Sequence, residues 1–177
     1  THPLVPQTLT VVAEIAIAEG TRESLRRAED AVTRGMTILT GLGEAGARHA
    51  PYLRESRARL AELRHDLRAA LRDRQSALDV RIETLGATHL DTGHSLALVG
   101  RTLLDLGLVD QAEPALLRAQ AIFEVNNGAA DGDVIATLQG RAEVRLARKQ
   151  RTEAIALLEK ARARAVKTAP DRADESR

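Results

Sequence analysis

The segment Val109-Asp-Gln-Ala-Glu-Pro-Ala-Leu-Leu-Arg-Ala-Gln-Ala-Ile-Phe123 carries two alanines seven residues apart, Ala112 and Ala119. Seven residues are two helical turns, so both alanines fall on one face, with Leu116 and Phe123 beside them. The pair recurs. Ala70 and Ala77 stand 42 residues earlier, and Ala154 and Ala161 stand 42 residues later. A small residue returning at one point on successive helices marks a place where another helix backbone comes close. The same offset carries Gly86 onto Gly128, Leu96 onto Leu138, Gly100 onto Ala142, Leu104 onto Leu146 and Leu116 onto Leu158. A period of this length is the mark of a repeat array.

Within one copy the pattern is helix, tight turn, helix. Leu96, Val99, Leu103 and Leu106 recur at three- and four-residue spacing, as a helix stripe does. Gly107 supplies a permissive backbone past the helix end, and Asn126-Asn-Gly128 stops the second helix. Helices joined so briefly run antiparallel, and each hairpin keeps an apolar side that only the next hairpin covers. The spacing predicts helices near 7–18, 22–40, 50–64, 66–85, 91–106, 109–126, 133–148 and 151–167. These make four hairpins, 7–40, 50–85, 91–126 and 133–167, the first two irregular, in one repeat domain over 1–167. A polar tail, 168–177, contains Pro170 and is expected to fray.

Composition agrees with an all-α chain. Only Tyr52 and Phe123 are aromatic, and Ala, Leu, Arg and Glu dominate; these last are strong helix formers. There is no Cys, so disulfides and thiolate chemistry are excluded. With 26 basic and 25 acidic residues, the chain offers no electrostatic argument for nucleic acid or an acidic membrane. No apolar run approaches the ~18 residues of a membrane span. The chain opens on Thr1-His-Pro, which reads as a piece of a longer polypeptide. Arg far outnumbers Lys (only Lys149, Lys160 and Lys167), a bias that fits a bacterial source.

Three stretches invite a chemical reading. His89, Asp91 and His94 lie within six residues, as ligands or acid–base groups could. The 42-residue offset, however, places them in the link between two hairpins, with Asp91 and Asp133 positioned to cap or charge-complement a helix N-terminus. His94 has Ala136 and Gln7 as its counterparts, so no ligand pattern repeats. Gly41-Leu-Gly-Glu-Ala-Gly46 fits a dinucleotide-binding fingerprint, but that mechanism needs a preceding strand; residues 31–40 read as helix, and an extended loop between repeats is expected instead. The run Arg48–Arg81 holds nine arginines against five acids. The acids are interleaved, with Glu55 four residues before Arg59, and no aromatic is placed to stack on bases, so a solvated helix surface is expected. No cofactor, metal or catalytic residues are assigned.

Gly86-x-x-His89 with Leu96 seven residues on, Gly107-Leu-Val-Asp-Gln-Ala-Glu113 and Ala119-Gln-Ala-Ile122 together resemble the tetratricopeptide repeats of the kinesin light chain type and their bacterial relatives. The resemblance is best over 86–167, fair over 66–85 and weaker over 1–65. His65 stands where the turn glycine is expected; histidine tolerates a left-handed backbone. The resemblance implies a right-handed superhelical stack of hairpins whose first helices line a concave side. On it, Thr10, Glu14, Ala97, Arg101, Asp105, Gln139 and Glu143 face outward as candidate partner-binding residues. It departs from the family where Val11, Leu98 and Gly140 replace a peptide-holding asparagine, and where Leu103, Val109 and Leu116 replace aromatics.

The function expected is a non-catalytic protein–protein interaction module of a larger bacterial, cytoplasmic regulatory protein, for example a Ser/Thr kinase. Its partner would be a protein, a peptide or a neighbouring domain of the same chain, and neither nucleic acid nor membrane. The alternative is a structural spacer or self-associating array. A third reading, an enzyme domain, requires a metal or nucleotide site.

Overall fold

The computed structural model describes residues 4–126 and 131–168. Among them are nine helices and no strand: α1 (Leu4–Glu19), α2 (Arg22–Gly41), α3 (Glu44–Ala47), α4 (Ala50–Leu63), α5 (Leu67–Leu85), α6 (Leu90–Asp105), α7 (Val109–Val125), α8 (Asp131–Ala147) and α9 (Arg151–Thr168). Eight of them match the expected helices to within a few residues at each end. The chain forms two compact units, residues 1–87 with α1–α5 and residues 88–177 with α6–α9. The opening Thr1-His2-Pro3, the Asn127-Gly128 part of the stop and the tail 169–177 lie outside the described residues.

In the first unit, α1 packs on α2 and α4 on α5 as hairpins, and α4 also lies against α1 and α2. Ala13, Ile17, Val32, Leu39, Leu53 and Leu60 are buried between them. Thr21 and Ser24 cap α2 reciprocally: the Ser24 amide donates to Thr21 Oγ1 at 3.0 Å and the Thr21 amide to Ser24 Oγ at 2.9 Å. Asp66 caps α5 by accepting from the Ala69 amide at 2.9 Å.

The alanine ladder is packing. Ala70, Ala77, Ala112, Ala119 and Ala154 are fully buried and Ala161 is 4% exposed. It also reaches further back than expected: Ala28, 42 residues before Ala70, is fully buried. The irregularity of the first hairpin is therefore confined to its turn. Ala28 is the seventh residue of α2, whereas Ala70, Ala112 and Ala154 are each the fourth of theirs. Three added residues, nearly one helical turn, extend the start of α2 without disturbing the face it buries.

The turns repeat as closely. His65, Gly107 and Lys149, each 42 apart, have φ of 60°, 73° and 62°. Each closes its helix with the same bond pair: His65 N–H to Glu62 O and Asp66 N–H to Ala61 O, Gly107 to Leu104 and Leu108 to Leu103, Lys149 to Leu146 and Gln150 to Arg145. This is the Schellman arrangement, which needs one left-handed residue.

Two expectations are corrected. The 41–50 link is not an extended loop but a pair of turns around the short α3. A Cβ at Gly46 would fall 2.1 Å from the Leu39 carbonyl oxygen, so the last glycine of the fingerprint is there because it rests on the end of α2. The arginine run is not wholly solvated either. Arg74 and Arg81 are only 5% and 4% exposed, paired with Glu62 and Glu55. They occupy the places of Leu116 and Phe123, 42 residues on, so in the second hairpin ion pairs replace apolar side chains.

In the second unit, α6 and α7 pair, α8 and α9 pair, and α8 lies along α7. Leu96, Leu103, Leu116, Phe123, Leu138 and Val144 are buried. Leu146 and Leu158, which the period aligns with Leu104 and Leu116, are instead 51% and 43% exposed. Leu104 and Leu116 lean on α8 near Gly140; among the described residues no helix occupies the equivalent place beyond α9.

Candidate partner-binding faces

The histidines of the 85–95 link serve local structure. His89 is the N-cap of α6, its Nδ1 accepting from the Asp91 amide at 3.1 Å, and Asp91 sits in the first turn where a negative charge suits the helix dipole. His94 lies with its ring centroid 5.1 Å from that of Phe123 and its Nδ1 3.6 Å from Asp133 Oδ1. Among the described residues no group of three or more His, Asp or Glu side chains converges as metal ligands would.

In the first unit, Thr10 and Glu14 stand on α1. The Thr10 hydroxyl donates to the Pro6 carbonyl at 3.0 Å, bending back on its own helix. Glu14 accepts from Ser56 Oγ at 2.6 Å and pairs with Arg59, both on α4. Thr10 also lines an open cavity of about 290 Å³ with Pro6, Gln7, Val11, His49 and Tyr52. Tyr52 is 48% exposed, and the Arg81 guanidinium lies 5.0 Å from the centre of its ring. The cavity is a mostly apolar hollow with an amide, an imidazole and a phenol at its rim. No repeat pattern flagged it, because at the 42-residue offset His49 and Tyr52 fall on Asp91 and His94, residues of other types; the signal was the placement of the one tyrosine.

In the second unit, Arg101, Asp105 and Glu143 meet. Arg101 Nη1 is 2.8 Å from Glu143 Oε1, and its Nε is 3.2 Å from Asp105 Oδ1. Partial burial works against the Arg101 charge, but the two carboxylates more than offset it and hold the guanidinium above its usual value. Gln139 is exposed on α8, and Ala97 half-buried on α6. Of the seven candidates, three therefore form one ion cluster bridging α6 and α8, and Glu14 bridges α1 and α4 in the same way. Much of their polarity is spent on joining neighbouring first helices.

The departures from the peptide-holding pattern have physical reasons. Gly140 is buried, and a Cβ there would lie 3.2 Å from both Leu116 methyls, so any side chain would have to push Leu116 aside by a few tenths of an ångström. Val11 is 57% exposed but has no amide to offer.

No family model matches the chain, and no curated protein does. Solved structures do. BtubC (BKLC) from P. vanneervenii superposes with a TM-score of 0.78 over 93% of this chain and 67% of its own, at 16% identity. A kinesin light chain with nearly identical TPR-like repeats from Podospora anserina superposes with a TM-score of 0.71 over 96% of this chain and 79% of its own, at 20% identity. The fold is a tetratricopeptide-like helical repeat array. At these identities the likeness concerns architecture, and the arrangement of side chains is this chain's own.

Proposed function

We propose that the chain is a non-catalytic protein–protein interaction module, and that its partner segment lies against the first helices. The observation carrying this reading is the hollow between α1 and α4. It sets a half-exposed Tyr52 and the apolar Pro6 and Val11 among the polar groups of Gln7, Thr10 and His49. Aromatic anchors beside adaptable hydrogen-bonding groups are what protein interfaces concentrate, and helix-borne side chains hold them rigidly. Arg101, Asp105, Gln139 and Glu143 supply a charged patch on the second unit. We further infer a bacterial, cytoplasmic regulatory setting, with a Ser/Thr kinase as one parent that fits, and no role for nucleic acid. No helix among the described residues is long and apolar enough to cross a membrane.

The test is affinity capture with the wild-type chain beside Tyr52→Ser and Arg101→Glu. A partner retained by the wild type and lost by at least one variant supports the reading. Identical capture by all three places the contact elsewhere, and removal of the module without effect on its parent protein counts against the role itself. Titration with zinc, magnesium nucleotide or NAD should give no heat; saturable binding would favour the enzyme reading.

A further inference from the structure

Positions 84 residues apart hold the same ion pair, Glu29–Arg64 in the first unit and Glu113–Arg148 in the second. The second copy of the pair has company. Glu113 of α7 also takes Arg145 of α8, whose Nη2 is 2.5 Å away, and Arg145 in turn ties α8 to α9 with its Nε 2.9 Å from Glu153. At the matching places in the first unit stand Ala61 on α4 and Ala69 on α5. There the guanidinium and its carboxylate are both cut back to a methyl group.

That truncation coincides with a cavity. About 420 Å³ lies open between α2, α4 and α5, lined by the two alanines together with Glu29, Arg64, Asp66 and Arg72. Arg57 and Asp73 also border the space but are spent on each other, Arg57 Nε and Nη2 donating to the two oxygens of Asp73 at 2.8 and 2.5 Å. Glu29 uses Oε1 for Arg64, and its Oε2 bonds to nothing among the described residues. Asp66 uses one oxygen to cap α5. Arg72 forms no hydrogen bond or ion pair among the described residues.

The occupant is written in the second unit. Acids and arginines balance in the lining, with Glu29, Asp66 and Asp73 against Arg57, Arg64 and Arg72, so no net charge draws a lone cation or a lone anion. The places left open are those of a guanidinium and a carboxylate together. A guanidinium also suits the walls, since its planar fork can serve one carboxylate and keep donors for a second.

We propose that this cavity receives the arginine side chain of a partner protein, from a segment that carries an acidic residue close by. The guanidinium shares Glu29 with Arg64 as Arg145 shares Glu113 with Arg148, and the acid reaches Arg72. The site is separate from the hollow at Tyr52 and stands whether or not that hollow binds.

Nuclear magnetic resonance of the full chain, titrated with the peptide acetyl-Arg-Gly-Glu-amide, tests this. Shifts should saturate with a Kd of about 1 mM or tighter and centre on the amides of Glu29, Ala61 and Ala69. The citrulline counterpart, with the same shape and no charge, should bind roughly tenfold more weakly or worse. Ala61→Arg puts the second unit's arginine in place and should abolish binding with unchanged helical circular dichroism. Glu29→Gln should weaken binding roughly tenfold, and it decides the matter if Ala61→Arg fails to fold. Absence of saturable binding overturns the proposal. So does equal binding of the citrulline peptide, or full binding by either folded variant. Free arginine binding more tightly than the peptide would assign the cavity to a small molecule and overturn the docking of a partner chain.

Discussion

Gly100 of α6 and Leu116 of α7 interlock: a Cβ on Gly100 would come within 2.7 Å of Leu116 Cγ. Alanine in a helix interior normally gains up to about 1 kcal/mol over glycine. Here Leu116 is held from the other side by α8, so it cannot give way cheaply. Gly100→Ala should therefore destabilise by roughly 1–2 kcal/mol despite the better propensity. Gly132→Ala on α8, with nothing within 4 Å of the added carbon, should be neutral or slightly stabilising. Urea unfolding of both variants separates the cases; equal effects would mean that the interlock is absent.

The alanine ladder makes a second claim about close approach. Ala112 has no exposed surface, and Ala112→Leu should overpack the crossing and destabilise by roughly 1–3 kcal/mol. Gln111, the preceding residue, is exposed, and Gln111→Leu should change stability by less than about 0.5 kcal/mol. Similar losses at the two positions would show that the buried face is misassigned.

His65 and Lys149 hold a left-handed backbone that costs a side-chain-bearing residue about 1 kcal/mol. His65→Gly and Lys149→Gly should each stabilise by a few tenths to 1 kcal/mol, the relief of strain outweighing the added freedom of the unfolded chain. Gly107→Ala should lose a similar amount. A drop in the urea midpoint for either glycine variant would contradict the shared turn geometry.

Arg74 replaces the leucine of the next repeat and pairs with Glu62 in a nearly solvent-free position. Glu62→Ala removes the carboxylate but leaves the guanidinium buried, and should cost roughly 3 kcal/mol. Arg74→Leu combined with Glu62→Leu restores the apolar pattern and should cost much less, or stabilise. A double variant less stable than Glu62→Ala would show that the ion pair contributes net stability.

These sites also mark how far the sequence could be read. The 42-residue period is visible because close helix crossings accept only small residues, so the ladder from Ala70 to Ala161 survives as letters. The turn at 149–150 is legible from the spacing, but the left-handed backbone of Lys149 is not, because its bond pattern, and not its residue type, repeats; nothing about a lysine announces it. The burial of Arg74 and Arg81 was missed for a related reason: a charge pattern on one helix does not reveal carboxylates waiting on the facing one. The candidate site was half legible. Spacing and resemblance put Arg101 and Glu143 on first helices, but only the packing of α6 beside α8 shows that they bind each other. The hollow at Tyr52 depends on the short α3, which brings His49 to α1 and leaves no periodic trace.

The pair of arginines on Glu113 gives the second unit a pH dependence with a definite sign. Glu113 accepts hydrogen bonds from Arg145, at 2.5 Å, and from Arg148. The bond from Arg145 does most to hold its carboxyl below the ordinary value of 4.5, against the burial that pushes it up. The depressed value means that the unfolded chain takes up the proton first as pH falls. The stabilisation is thus complete above about 4.5 and is lost as pH drops from there through the folded value. Arg145 retains Glu153 at 2.9 Å and Arg148 retains Asp110 at 2.8 Å, so losing the charge leaves neither arginine unpaired. Glu113→Gln should therefore cost only about 1–2 kcal/mol at neutral pH. The gap between variant and wild type should hold from neutral pH down to about 5 and close on further acidification. Urea unfolding of both proteins along that series measures it; a gap that widens in acid, or is absent at neutral pH, would mean that the two arginines do not stabilise the Glu113 charge.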